Sequence, residues 1–212
     1  MPIRNIVFDL GNVLVDFDPP AYLRSRGFDG TAAAELLRIV FAEAWPKGDA
    51  GDYLTIKAMR DDLLRSHPAK AKAIRRVLRP DCVRMHVLRE DVSAYLHALK
   101  ARGYRIYLLS NLAKYSHDYV RAYPFFDDLD GAVCSYQEHI CKPDTRIYQI
   151  LLERYGLSPQ ETVFLDDNPA NTDAAFRCGL HGIVFTDLAA AKTQLESLLQ
   201  NQKPPKGKEI IK

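Results

Sequence analysis

Apolar residues fall along this chain in two distinct rhythms. Short runs of β-branched, aromatic and leucine residues, at Ile6 to Phe8, Tyr104 to Leu109, Ala132 to Cys134, Val163 to Leu165 and Ile183 to Phe185, have the length and composition of buried strands. Between them apolar residues recur at helical spacing. Val92, Tyr95, Leu96 and Leu99 form one stripe, with Gly103 where a C-terminal cap belongs, and Ile147, Ile150, Leu151 and Tyr155 form another before Gly156. From about residue 89 onward strand and helix alternate, which predicts an α/β fold: a Rossmann-like parallel sheet with helices on both faces.

The stretch from Pro19 to Arg84 interrupts this alternation, because it carries helical patterns and no strand pattern. Ala33, Leu36, Leu37, Val40, Phe41 and Ala44 make one apolar stripe, with Thr31 as the expected N-cap. Ile56, Met59 and Leu63 make a second, ending before His67-Pro68. The expected organisation is a core of residues 1–18 and 85–200 with an all-helical cap, 19–84, inserted into it. The insertion follows the first strand at once, so it should cover the carboxyl edge of the sheet, where ligands bind in such folds. The last residues, 201–212, contain Lys203-Pro204-Pro205-Lys206-Gly207-Lys208 and no core pattern; a flexible basic tail is expected there. No internal repeat is present.

Composition narrows the partners. Over 212 residues, 47% hydrophobic and 26% charged positions are those of an ordinary globular protein. A net charge of +2 gives no general attraction to nucleic acid or to a membrane surface. Cys82, Cys134, Cys141 and Cys178 form no C-x-x-C pair, and His86, His97, His117, His139 and His181 have no metal-ligand spacing. Ahead of Asp9 only Ile6-Val7-Phe8 is apolar, too short for a signal sequence or a membrane span, so a cytoplasmic location is expected. The oligomeric state is not legible.

Four of the five strands lead into polar residues at or just beyond their carboxyl ends. Asp9 follows the first, Ser110-Asn111 the second, Lys142 lies beyond the third, and Asp166-Asp167 follow the fourth. Singly, each has an ordinary explanation as a turn residue, a surface charge or a helix cap. Parallel strands, however, bring their carboxyl ends to one edge, so that three carboxylates, a hydroxyl and an ammonium would meet in one crevice. Clustered carboxylates repel, and a hard divalent cation with oxygen ligands relieves the repulsion; Mg²⁺ is usually held by one or two carboxylates with phosphate and water. Lys142 and Ser110 then supply donors for phosphate oxygens, and the remaining carboxylate can attack phosphorus.

These residues also resemble a known family. Phe8-Asp9-Leu10-Gly11-Asn12-Val13-Leu14-Val15-Asp16, Leu108-Leu109-Ser110-Asn111, Cys141-Lys142-Pro143 and Phe164-Leu165-Asp166-Asp167-Asn168-Pro169-Ala170-Asn171 are similar, in order, to the four motifs of the haloacid dehalogenase superfamily. A helical insertion between the first two motifs is similar to its helical-cap subclass, and the motif wording is most similar to the bacterial α-glucose-1-phosphate phosphatase group. The resemblance implies that Asp9 is nucleophile and metal ligand, and that Ser110 and Asn111 hold the transferring phosphoryl group. It implies too that Lys142 bridges nucleophile and phosphate, that Gly11 lends a backbone carbonyl to Mg²⁺, and that Asp167 binds the metal directly, with Asp166 as ligand or support. The expected activity is hydrolysis of a small phosphate ester, with a sugar phosphate as the first class.

One departure stands out. Phosphatases of the superfamily carry a second Asp two residues after the nucleophile as general acid and base, and this chain has Gly11 there. Asp16 is the replacement the sequence offers, with a hinge or turn carboxylate as its alternative reading. Two other functions remain open at this point: a metal-independent dehalogenase in which Asp9 attacks carbon, and a non-catalytic binding protein that kept the fold.

Overall fold

The structure, a computed structural model, describes residues 2–200; the expected tail at 201–212 lies outside the described residues. Five parallel strands form one sheet in the order β5-β4-β1-β6-β7: β1 (Asn5–Phe8), β4 (Arg105–Ser110), β5 (Gly131–Cys134), β6 (Thr162–Asp166) and β7 (His181–Val184). Each strand matches a predicted run to within two residues. All are short because both faces are covered, so a nearly continuous apolar run serves where an exposed sheet would need alternation.

Successive side chains of a strand point to opposite faces, and the two faces build two cores. Ile6 and Phe8 of β1 join Leu108 of β4 and Val163 and Leu165 of β6 beneath α6 (Glu90–Ala101) and α11 (Leu188–Gln200). Val7, Tyr107, Leu109 and Phe164 point the other way, against α9 (Thr145–Tyr155) and α10 (Pro169–Arg177). The predicted stripe Val92, Tyr95, Leu96 and Leu99 is the buried face of α6. Helix α9 ends on Gly156 in the left-handed region at φ 60°, which glycine enters without a Cβ penalty.

The segment from Pro19 to Met85 contains helices joined by short turns and no strand. It contains α1 (Pro19–Ser25), α2 (Gly30–Leu36), α3 (Trp45–Asp49), α4 (Ile56–Ser66) and α5 (Ala71–Val77). Eight residues of π-helix, Leu37–Ala44, join α2 to α3. These helices gather around their own apolar cluster, in which Leu23, Ile39, Val40, Met59, Ile74 and Leu78 are fully buried. Two details differ from expectation. The first long helix starts from Asp29 rather than Thr31, because Gly30 and Thr31 already take helical positions. Two short strands, β2 (Val15–Phe17) and β3 (His86–Leu88), pair antiparallel on either side of the insertion. At three residues each they are too short for a period to register in sequence.

Candidate active site

Strand β1 lies between β4 and β6, so the carboxyl ends of three strands meet at one point. Asp9 follows β1, Ser110 ends β4 and Asp166 ends β6. The backbone N–H of Asp9 donates to Leu165 O at 2.9 Å, which prolongs the ladder by one residue and fixes the carboxylate against β6.

Lys142 arrives from the loop between α8 (Ser135–Glu138) and α9. Its Nζ donates to Asp9 Oδ1 at 2.7 Å, to Asp166 Oδ2 at 2.6 Å and to Leu109 O at 2.9 Å. The three donors of an ammonium are thereby all engaged. Burial would draw the Lys142 pKa down, but Asp9 and Asp166 outweigh it and hold the ammonium charged. For Asp9 the balance runs the other way. Burial, with the charge of Asp166 added, exceeds the opposing pull of Lys142 and pushes its carboxyl up to about 6.

The paired acids after β6 are unlike each other. Asp166 is fully buried and its oxygens are occupied: Oδ1 accepts from Asn168 N and Asn171 Nδ2, and Oδ2 from Lys142 and Asn171 Nδ2. Asp167 is only partly buried, and its Oδ2 accepts from Asn12 Nδ2 at 3.0 Å. One oxygen each of Asp9, Asp166 and Asp167 lie within 4.8 Å of one another, an all-oxygen group of the kind that suits a hard cation. Asn12 is held in the left-handed region at φ 56°, with its Oδ1 accepting from Phe17 N. Asn168 caps α10 through Ala170 N, with Pro169 next, as its sequence position suggested.

Ser110 is buried and faces a cavity of about 180 Å³. Asn111 also lines it, but its carboxamide is engaged at both ends: Oδ1 accepts from Lys142 N at 2.7 Å and Nδ2 donates to Lys142 O at 2.9 Å. Its side chain therefore secures the Lys142 peptide. Asp16 sits on β2 with its side chain 64% exposed, 3.8 Å from Arg89. It lines a separate, open groove of about 970 Å³ between the β2–β3 pair and α1 and does not line the cavity beside Ser110. Gly11 does line that cavity, and a Cβ built on it would meet nothing within 4 Å.

The far wall belongs largely to the helical segment and to the β2–β3 pair. Trp45, Phe17 and His86 form an aromatic group, with ring centroids 5.6 Å apart for Phe17 and Trp45 and 5.0 Å apart for Phe17 and His86. His86 Nδ1 faces Val83 O at 3.0 Å, and burial lowers its pKa, so the ring is neutral near pH 7. Asp49 completes the wall. Burial pushes its carboxyl up to about 7 against the N–H of Ala113, with Asp9 adding to the rise. The sequence offers Trp45 and the turn from Lys47 to Asp52, an aromatic beside a polar glycine-containing loop, as substrate-reading candidates, with core of the helical segment as the other reading of Trp45; the indole is buried in that segment's apolar cluster and also lines the cavity. The sequence carries no signal for His86 or Ser116, whose partners become neighbours only on folding.

Comparison with known proteins places this geometry. A family model described as a haloacid dehalogenase-like hydrolase matches residues 3–179. The chain is 27% identical over 205 residues to a sesquiterpene phosphatase of Aspergillus oryzae, covering 91% of this chain and 95% of that protein. It is 32% identical over 119 residues to the GMP/IMP nucleotidase of Escherichia coli K12, a match spanning about half of each (52% and 51%). A haloacid dehalogenase family enzyme of Bacteroides thetaiotaomicron, solved in complex with magnesium and inorganic phosphate, superposes with a TM-score of 0.68 at 22% identity, covering 88% of this chain and 98% of that one. With the motif residues converging as they do and the family model spanning most of the chain, this protein belongs to the haloacid dehalogenase-like hydrolases.

Proposed function

We propose that this hydrolase is a magnesium-dependent phosphomonoesterase that acts on a small phosphorylated metabolite through a phosphorylated Asp9. The observation that carries the reading is the position of Lys142 Nζ, 2.7 Å from one oxygen of Asp9 and 2.9 Å from the carbonyl oxygen of Leu109, the residue before the buried Ser110. A phosphoryl group held there meets a positive charge, a hydroxyl donor and a carboxylate oxygen fixed by its neighbours, which is the positioning that in-line transfer requires.

The residues fit a magnesium ion. Burial and Asp166 raise the Asp9 carboxyl, which marks a cluster short of positive charge even with Lys142 in place. Asp9, the partly buried Asp167 and the Gly11 carbonyl would hold the ion, while Asp166, already saturated, would orient Lys142. Bound there, the ion neutralises phosphate charge and polarises its oxygens. In the first step Asp9 Oδ attacks phosphorus and the ester oxygen departs. In the second, water attacks the phospho-Asp9 and returns the carboxylate and inorganic phosphate. Lys142 favours the ionised Asp9 before attack and holds its side chain in direction.

Residues 19–84 act as the cap over this centre, with 1–18 and 85–200 as the catalytic core. A cavity of about 180 Å³ with Trp45 and Phe17 in its wall suits a compact leaving group with an apolar face. A sugar phosphate, whose C–H face stacks on an indole, is the first class to test. Short isoprenyl phosphates are the second, supported by the aromatic wall and by the similarity to a sesquiterpene phosphatase.

The test is a panel of phosphorylated metabolites with the parent protein and Asp9→Asn, with magnesium and with chelator. Release of phosphate that needs both magnesium and Asp9 supports the proposal. Equal turnover by the variant would remove Asp9 as nucleophile, and chelator-resistant turnover of a 2-haloacid would replace the phosphatase reading.

A further inference from the structure

A departing alkoxide needs a proton, and the cavity wall contains few groups able to give one. Lys142 has its three donors engaged and must keep its charge beside two carboxylates. His86 is neutral, with Nδ1 directed at Val83 O. Position 11 offers no side chain although there is room for one. Asp16 faces another groove. Among the described residues lining the cavity, Asp49 is the single carboxyl.

Asp49 is held in place. It is the last residue of α3, followed by Ala50 and by Gly51 at φ 90°. Ser135 Oγ donates to its carbonyl at 2.5 Å and in turn accepts from Leu112 N at 2.9 Å. The N–H of Ala113 donates to its carboxylate. The helix end is thus tied to the loop after β4, the loop that begins with Ser110 and Asn111. A second observation points to a ligand in the same space: Ser116 lines the cavity, is 1% exposed, and its Oγ has no hydrogen-bond partner. A buried hydroxyl without a partner is unfavourable, and a polar group of the substrate in this cavity would satisfy it.

We propose that Asp49, reaching the cavity from the cap side, is the general acid for the leaving oxygen and then the general base for the attacking water. The proposal rests on the phosphatase reading above. As Asp9 Oδ forms its bond to phosphorus, the bond from phosphorus to the ester oxygen breaks and that oxygen takes the proton of the Asp49 carboxylic acid. The product alcohol leaves and Asp49 becomes a carboxylate. Water then attacks phosphorus, its proton passes to Asp49, and the bond to Asp9 breaks, releasing phosphate and restoring the acid. Burial and the neighbouring Asp9 keep protonated and ionised Asp49 both accessible near neutral pH, against the opposing charge of Lys142; Tyr115, Cys141 and His86 are the other titratable groups around it.

The experiment compares single-turnover release from p-nitrophenyl phosphate, whose phenolate departs without a proton, and from benzyl phosphate, whose alkoxide requires one. In Asp49→Asn, release of benzyl alcohol should fall by about 100-fold or more, whereas p-nitrophenolate release changes by less than about fivefold. Asp49→Glu, which restores an ionisable carboxyl, should outperform Asp49→Asn on benzyl phosphate by at least about tenfold. An equal loss on both esters, or no advantage of Glu over Asn, would overturn the role of Asp49 and leave the phosphatase reading intact. If the parent protein releases neither product, the phosphatase reading falls and this inference with it.

Discussion

Lys142 Nζ sits 2.6 Å from Asp166 Oδ2, while neighbouring Asp167 takes no part in that ion pair and accepts from Asn12 instead. Two acids adjacent in sequence thus meet different surroundings, one dry and saturated, the other only partly buried. The ammonium stands between Asp9 and Asp166, so the same contact that steadies the fold also sets the direction of the Asp9 carboxylate.

The division between these acids predicts separable effects. Asp167→Asn should lower magnesium affinity by at least about tenfold, the scale seen when even an outer partner of a metal is lost, with little change in melting temperature. Asp166→Asn should leave Lys142 short of a buried partner and cost about 3–5 kcal/mol of stability. Calorimetric magnesium titration and urea unfolding of both variants check this; the reverse assignment would exchange the two outcomes.

Removing Lys142 exposes the repulsion it contains. In Lys142→Met, Asp9 and Asp166 remain buried without a counter-charge, and loss of one partner of a buried ion pair costs about 3–5 kcal/mol. The loss should deepen as pH rises. Without the ammonium the folded-state pKa of Asp9 moves further above its unfolded value, and the stability such a group contributes is lost as pH rises through the folded pKa. Unfolding free energies of parent and variant at about pH 5 and about pH 8 provide the measurement; a smaller deficit at the higher pH would contradict the ion-pair account.

Asn12 supports both the backbone turn and the proposed magnesium ligand Asp167, and two substitutions separate the roles. Asn12→Gly keeps the left-handed φ at no steric cost but drops the contact to Asp167. Asn12→Ala drops the contact and adds about 1 kcal/mol of backbone strain. Both should weaken magnesium binding, and both lose the acceptor for Phe17 N, so both should lower the melting temperature, Asn12→Ala by more because of the added strain. Unchanged magnesium affinity in Asn12→Gly would show that Asp167 needs no support from it.

Much of this architecture was legible because its signals are local. Each buried strand writes a short apolar run, α6 and α9 write their stripes, and Gly103 and Gly156 mark their ends. Asp9, Ser110, Lys142 and Asp166 were legible as a set because parallel strands bring like ends together, an inference from topology that needs no side-chain detail. What escaped depends on long-range packing. That Asn111 clamps Lys142 across 31 residues, that Asp16 turns to a separate groove, and that Asp49 joins a wall with His86 and Ser116 are relations between segments. The π-helical link and the β2–β3 pair escaped for a different reason, since neither is long enough to impose its own period on the sequence.

Asp49 links the cavity to the pH dependence of folding. Its carboxyl ionises near the ordinary value of 3.8 in the unfolded chain and at about 7 in the folded protein, where burial disfavours the charge. Between those values the folded state holds a proton that the unfolded chain has released, so stability falls as pH rises, by at most about 1.4 kcal/mol per pH unit for one group. The contribution is whole below the unfolded pKa and lost once pH has passed through the folded one. Asp49→Asn has no proton to release, and it retains a carbonyl to accept from Ala113. The stability of the parent relative to Asp49→Asn should therefore decline between about pH 4 and about pH 7 and then level off. Asp9, raised for similar reasons to about 6, is present in both proteins and largely cancels in the difference. Urea unfolding of the two proteins across that range, without added metal, reads the curve directly. A difference independent of pH would mean that Asp49 is ionised in the folded protein throughout, and so has no proton to lend the leaving group.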